Sequence, residues 1–201
     1  MNTLKKIIFD GVFPGFLVIK KILKFVPFIG ILIIFYPKYY VEIGDFGWYC
    51  LLLIVFSRPL RDVLPKLGIL KKIVALRKEI GIISGIFITA HGLGFFLNSK
   101  ISLLVGLTSL DFYNLTNLFG WGMIGMYIGI ILTLTSNKFS QKFLGKNWKR
   151  LQRLTYLFFI FGAIHIAFVD TEKILPLSTV VSSWAILWIL AYKKIILWKN
   201  K

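Results

Sequence analysis

The feature that most restricts this chain is a recurring pattern of apolar runs, each closed by lysines or arginines. Read against those charged breaks, the sequence gives six candidate helices at 22–37, 44–57, 79–97, 116–135, 154–169 and 174–192. Crossing the hydrocarbon core of a bilayer takes roughly 17–25 predominantly apolar residues of helix. The first two runs are short, and Pro27 interrupts the first. Six such runs in 201 residues leave little room for a separate soluble domain. The bulk composition agrees, with 57% apolar residues, 16% aromatics and a mean hydropathy of +0.79. The expected fold is therefore all-α, an integral membrane six-helix bundle.

The charges say how such a bundle is oriented. With six spans, 22 of the 25 lysines and arginines fall on one side, in residues 5–24, 58–78, 138–153 and 193–201. The other side holds only Lys38, Lys100 and Lys173, together with Glu42, Asp45, Asp111, Asp170 and Glu172. Basic residues collect on the cytoplasmic side of membrane proteins, which puts both termini in the cytoplasm. The net charge of +17 is thus a topology signal and a surface for the anionic headgroups of the lipid bilayer. Nucleic acid is not implied. The start, MNTLKKIIFDGVFPGFLVIKK, is basic then apolar like a signal peptide, but Asp10 interrupts it and no small-residue cleavage site follows. Residues 1–21 are expected to form a cytoplasmic interfacial segment, and 22–201 the bundle. The Pro59- and Pro65-punctuated stretch SRPLRDVLPKLGILKKIVALRK and the stretch NSKISLLVGLTSLDFYN are expected to lie on the membrane surface. No internal repeat is legible. The single cysteine, Cys50, reads as a small apolar residue in a span.

Two histidines are present, His91 in GIFITAHGLGFF and His165 in FFIFGAIHIAFV. His91 lies fourteen residues beyond Arg77, about 21 Å along a helix, and His165 twelve beyond Arg153, about 18 Å. Both helices run outward, so the imidazoles sit at similar depth in the outer half of the bilayer. A zinc or non-heme iron site takes three or four protein ligands, commonly with a carboxylate, and the nearest acid in sequence to either histidine is Asp170, five residues beyond His165. A proton relay takes a chain of ionisable groups that these spans lack. Heme iron takes one or two axial ligands, and its macrocycle fits between helices. Gly92 and Gly94 beside His91, and Gly162 one turn before His165, would let a flat ring approach the backbone, or equally let helices pack closely. Gly81-x-x-x-Gly85 carries the same two readings. Arg77, Ser84 and His91 advance by seven and share one helical face. The competing expectation is that each histidine only hydrogen-bonds a neighbouring helix.

Three blocks, FSRPLRDV, LRKEIGIISGIFITAHGLGFF and LTSNKFSQKFLGKNWKRLQRLTYLFFIFGAIH, resemble the ferric-reductase-like transmembrane family. Within it they are similar to the heme-binding membrane subunits of bacterial periplasmic methionine sulfoxide reductase systems. The resemblance covers the chain from about residue 44 onward. It implies a b-type cytochrome of the bacterial inner membrane with His91 and His165 as axial ligands of an outer heme b. Ser84, Gly92 and Gly162 would pack against the macrocycle. Phe87, Phe95, Phe158, Phe159 and Phe161 would form its apolar shell. Electrons would enter from a cytoplasmic flavin reductase or a membrane quinol. They would leave to a periplasmic molybdopterin methionine sulfoxide reductase subunit. The family block carries histidine, associated with a second, inner heme, where this chain has Gln152. Gln152 is thirteen residues before His165 and about 140° around an ideal helix from it. Arg77, Arg150 and Arg153 remain as contacts for inner-heme propionates or for the phosphate of FMN, or simply as topology charges. Two other functions share this sequence pattern: a membrane ferric reductase component, and a heme-free scaffold whose histidines only pack. A transporter is disfavoured, because spans four and six hold no ionisable residue.

Overall fold

The computed structural model describes residues 3–198, and all regular structure among them is helical. The principal elements are α1 (Phe16–Ile22), α2 (Tyr40–Val63), α3 (Arg77–Asn98), α4 (Leu118–Leu134), α5 (Thr155–Val169) and α6 (Ile174–Tyr192). Four stretches are long and apolar enough to cross a membrane: Pro37–Val63, Arg77–Asn98, Lys146–Val169 and Thr171–Tyr192. A fifth arises if α4 and the helix Lys138–Leu144, which turns 96° away from it, count as one broken span. Asn137 caps that second helix by accepting from the Ser140 amide at 2.8 Å, so the sharp turn has a local cause.

The first expected span, 22–37, is not a continuous helix. Its place is taken by α1, a helical turn Pro27–Gly30 and 3₁₀ turns Ile31–Ile34 and Pro37–Tyr39. Pro27 and Pro37 supply no amide for an i→i−4 bond, which is why a regular helix does not run through this stretch. The broken path still follows α3 from end to end. Lys20 Nζ lies 3.6 Å from Glu79 Oε1 near the start of α3. Gly30 lies against Ile86 and Phe87 midway, and Ile33 meets Gly94 near its end.

The second expected span, 44–57, is longer than its apolar run: α2 starts at Tyr40 and passes through Pro59 to Val63. Pro59 was expected to mark an interfacial segment, but it is fully buried inside the helix. Two residues earlier, Ser57 Oγ donates to the Ile54 carbonyl at 3.0 Å, so its buried hydroxyl is satisfied within the helix. The surface segments after it are short helices, Gly68–Ala75 between α2 and α3, and Leu103–Thr108 with a 3₁₀ turn Leu110–Tyr113 between α3 and α4.

Helices α2, α3, α4 and α5 close a ring: α3 packs on α2 and α4, and α5 packs on α4 and α2. α6 lies outside it, against α2 and α5. Lipid is as apolar as leucine, so close packing and hydrogen bonds, more than burial from water, must hold such helices together. Both are visible. Ser84 Oγ donates to the Gly47 carbonyl at 2.9 Å, joining α3 to α2. Gly85 abuts Thr133 and the Gly129 carbonyl, letting α3 and α4 touch backbone to backbone. Leu51, Val55, Ile83 and Phe159, each at most 2% exposed, fill the middle of the ring.

The described ends meet at the end of the bundle where α2 finishes. The Phe9 and Trp198 rings are 5.7 Å apart, and the Leu197 amide donates to the Val63 carbonyl at 3.2 Å. Gly11, at φ +65°, sits so close to Gly68 that a Cβ there would fall 2.7 Å from the Gly68 carbonyl oxygen. Residues 1–2 and 199–201, including Lys199 and Lys201 of the basic face, lie outside the described residues.

The two glycines of Gly81-x-x-x-Gly85 now differ. A Cβ at Gly81 would meet only Ile54 Cδ1, at 3.7 Å, whereas one at Gly85 would meet Thr133 and a backbone oxygen 3.0 Å away. Gly85→Ala is expected to destabilise the protein by about 1–3 kcal/mol. Gly81→Ala should be neutral or stabilising by up to about 1 kcal/mol. Thermal unfolding of the two variants in detergent checks this.

Candidate functional site

At the opposite end of the ring, where α2 and α4 begin, the four helices part around a cavity of about 440 Å³. Cofactor pockets run from about 300 to 1,000 Å³ and are mainly apolar, and this one fits both criteria. Its walls include Trp48 of α2, Gly92 and Phe95 of α3, Met126 of α4, and Phe158 and Gly162 of α5. His91 and His165 also face it, one from α3 and one from α5.

Each histidine is held in the same way. His91 Nδ1 is 2.8 Å from the Tyr40 carbonyl oxygen, and His165 Nδ1 is 2.7 Å from that of Leu118. A carbonyl oxygen can only accept, so each Nδ1 carries the proton and each Nε2 keeps its lone pair. The two ring centres are 6.3 Å apart and their planes cross at 70°. A single metal atom bound on opposite sides by two imidazoles at about 2.0–2.1 Å from each nitrogen puts the ring centres roughly 6 Å apart. The observed spacing therefore suits one metal held by two neutral histidines. Among the described residues, no group of three or more His, Cys, Asp or Glu side chains could hold a metal ion. The chemistry open to this pair is that of a metal which brings its own equatorial ligands.

The other residues singled out in the sequence divide. Gly92 and Gly162 line the cavity, and their missing side chains leave room for Met126 Sδ and the Trp48 ring respectively. Phe95 and Phe158 line it too, while Phe159 stacks on the far side of Trp48 with centroids 5.5 Å apart. Phe161 packs edge-on against Trp121, and Phe87 lies tilted against Phe46. Ser84 is not on the cavity wall, because its hydroxyl is committed to Gly47. Gln152 is drawn to the other end of the bundle, where its Nε2 donates to Thr135 Oγ1 at 3.2 Å. Trp148 Nε1 donates to the Thr135 carbonyl beside it, at 2.9 Å, so both residues fasten the end of α4. Arg77 is half-buried at the start of α3, and Arg150 and Arg153 are exposed.

Sequence reasoning missed Gly44 and Gly122. Each lies one turn beyond the carbonyl that a histidine binds, and each directly underlies that histidine's ring. The signal was present as Gly44-x-x-Gly47 and Gly122-x-x-Gly125. These also expose an internal repeat that the sequence did not show. Tyr40, Gly44 and Gly47 of α2 correspond to Leu118, Gly122 and Gly125 of α4. Phe87 and His91 of α3 correspond to Phe161 and His165 of α5, with the same glycine-to-phenylalanine and glycine-to-histidine contacts in each half.

Comparison with known proteins agrees with this architecture. Residues 43–163 match the family described as ferric reductase like transmembrane component, and the chain belongs to that family. Among curated proteins it is similar to the protein-methionine-sulfoxide reductase heme-binding subunit MsrQ of Agrobacterium fabrum, with 31% identity over 136 residues. That match covers 66% of this chain and 59% of the relative, so the chain spans less than two thirds of the relative's length. No solved structure matches the chain. Together with its long apolar helices, the family makes this a multi-pass membrane protein.

Because Gln152 bonds Thr135 at the far end of the bundle, Gln152→Ala should leave ligand binding in the cavity unchanged. It should lower stability by about 0.5–1.5 kcal/mol, one hydrogen bond. Cofactor content and thermal unfolding, measured on the same preparation, separate the two effects.

Proposed function

We propose that this protein is a membrane electron-transfer subunit that holds one heme b between α3 and α5, with His91 and His165 as its axial ligands. The observation that carries the reading is the pair of neutral imidazoles 6.3 Å apart in an apolar cavity, each with Nε2 free to bind metal. Bound there, heme iron supplies a one-electron couple, and two histidines leave it no position for oxygen. The protein's own part is to hold the two rings in place and keep water out with Trp48, Phe95, Phe158 and Met126. The relative's name, a heme-binding subunit, supports the same assignment.

The chain crosses the bacterial inner membrane six times, with both termini in the cytoplasm. Contact between Phe9 and Trp198 supports an even number of crossings between them. Helices α2 to α6 make five, and the broken segment alongside α3 makes the sixth. The end where Phe9, Val63 and Trp198 gather is the basic end, hence cytoplasmic, and the cavity lies in the outer half.

The inner half of the ring is filled by packed side chains, and Gln152 is engaged with Thr135. Both favour a single heme and a quinol donor within the bilayer over a cytoplasmic flavin reductase with FMN or an inner heme. Arg77, Arg150 and Arg153 then serve as topology charges. The acceptor on the outer face is a methionine sulfoxide reductase catalytic subunit, the partnership that the relative's name implies, and the family resemblance makes it a periplasmic molybdopterin enzyme.

His91→Ala and His165→Ala should each lower heme retention at least about tenfold. Dithionite-reduced minus oxidised spectra of the purified variants read this directly. Wild-type spectra in both variants, or no heme in wild type expressed with ample heme supply, would rule the reading out.

A further inference from the structure

The two histidines do not merely touch neighbouring helices; each occupies the space of a side chain that is not there. A Cβ at Gly44 would stand 2.5 Å from His91 Nδ1 and 2.8 Å from its Cγ. A Cβ at Gly122 would stand 2.7 Å from His165 Nδ1 and 2.8 Å from its Cε1. These are closer than real carbon contacts come, and what would have to move is a ring at the heart of the cavity rather than a flexible chain end.

Geometry explains why a glycine is needed at this register. Cα–Cβ bonds in a helix tilt toward its N-terminus, so the side chain at position i+4 covers the carbonyl of residue i. That carbonyl already accepts the amide of i+4, and its second lone pair is open only from the side. Position 44 is four beyond Tyr40, and position 122 is four beyond Leu118. In both helices the covering residue is the one without a side chain, and the imidazole N–H takes the second lone pair. The two rings so held are crossed at 70°.

Resting on the heme reading above, we propose that Gly44 and Gly122 are the positioning residues of the site. By leaving the Tyr40 and Leu118 carbonyls open, they fix the Nδ1–H tautomer of each histidine and hold the two imidazole planes crossed. Neither glycine touches the metal; each acts through the ring above it.

The test is the ferric electron paramagnetic resonance spectrum and the midpoint potential of the purified full chain. Wild type, Gly44→Ala, Gly122→Ala and the control Gly81→Ala are compared. Crossed planes predict a highly anisotropic low-spin signal with one large g value in wild type and in Gly81→Ala. Gly44→Ala and Gly122→Ala should each lose that signal, to a rhombic low-spin or a high-spin one. Their potential should rise, since a histidine without its N–H···O=C bond is a weaker donor to ferric iron. A rhombic, parallel-plane signal in wild type would overturn the proposal, and this holds even if the alanine variants fail to accumulate. Wild-type spectra and potentials in both variants would overturn it as well, with the heme reading intact. Absence of heme from wild type and Gly81→Ala would instead bring down both.

Discussion

An imidazole inside a bilayer has no water for its nitrogens, and an unpaired polar group there costs several kcal/mol. This requirement organises the structure. Each histidine gives its Nδ1 proton to a backbone carbonyl at the start of a neighbouring helix, and the glycine one turn on admits the ring. One nitrogen is thereby satisfied, and the other is left as a neutral donor facing the cavity. α3 must lie against α2, and α5 against α4, closely enough for these bonds to form. The ring of four helices follows from that, with Ser84–Gly47 and Gly85–Gly129 drawing its other half together.

The same small-residue logic runs twice. Two helical hairpins, α2–α3 and α4–α5, each present a Gly-x-x-Gly at the start of one helix and a histidine from the next. The halves diverge below the cavity. There Trp48 stacks on Phe159, and Trp184 meets Phe159 edge-on, while Leu51, Val55 and Ile83 close the interior. A bundle open at one end and packed at the other accommodates one cofactor near one face, which is why the donor in this account reaches it from within the membrane.

Much of the fold was legible because membrane spans are written in long apolar runs, which set the middles of α3, α4, α5 and α6 within a few residues. Their ends also fall within two residues of the expected bounds, whereas the first two spans were less legible. Nothing local told that Pro59 would be carried inside α2, since that depends on its burial against neighbouring helices. The segment around Pro27 read as a span by composition, but backbone hydrogen bonding, not hydropathy, decides whether it is one helix. The pairing of the histidines followed from depth counted along two outward helices. A shared helical face says which way the Ser84 side chain points, not that its hydroxyl is already engaged with the Gly47 carbonyl. Gly44 and Gly122 stand in the sequence as two Gly-x-x-Gly pairs, but what they do could not be read there because their role lies entirely between helices. The spacing that matters is from each glycine back to a carbonyl, which every sequence has at every position.

The measurement that bears most directly on the account is the heme-to-protein ratio of purified wild-type chain, from the pyridine hemochrome and a quantitative protein assay. One heme b per chain is the predicted result. A ratio of two would place a cofactor in the half of the bundle that Leu51, Val55, Ile83 and Phe159 fill, and a ratio of zero would leave the histidine pair without its metal; either contradicts the account.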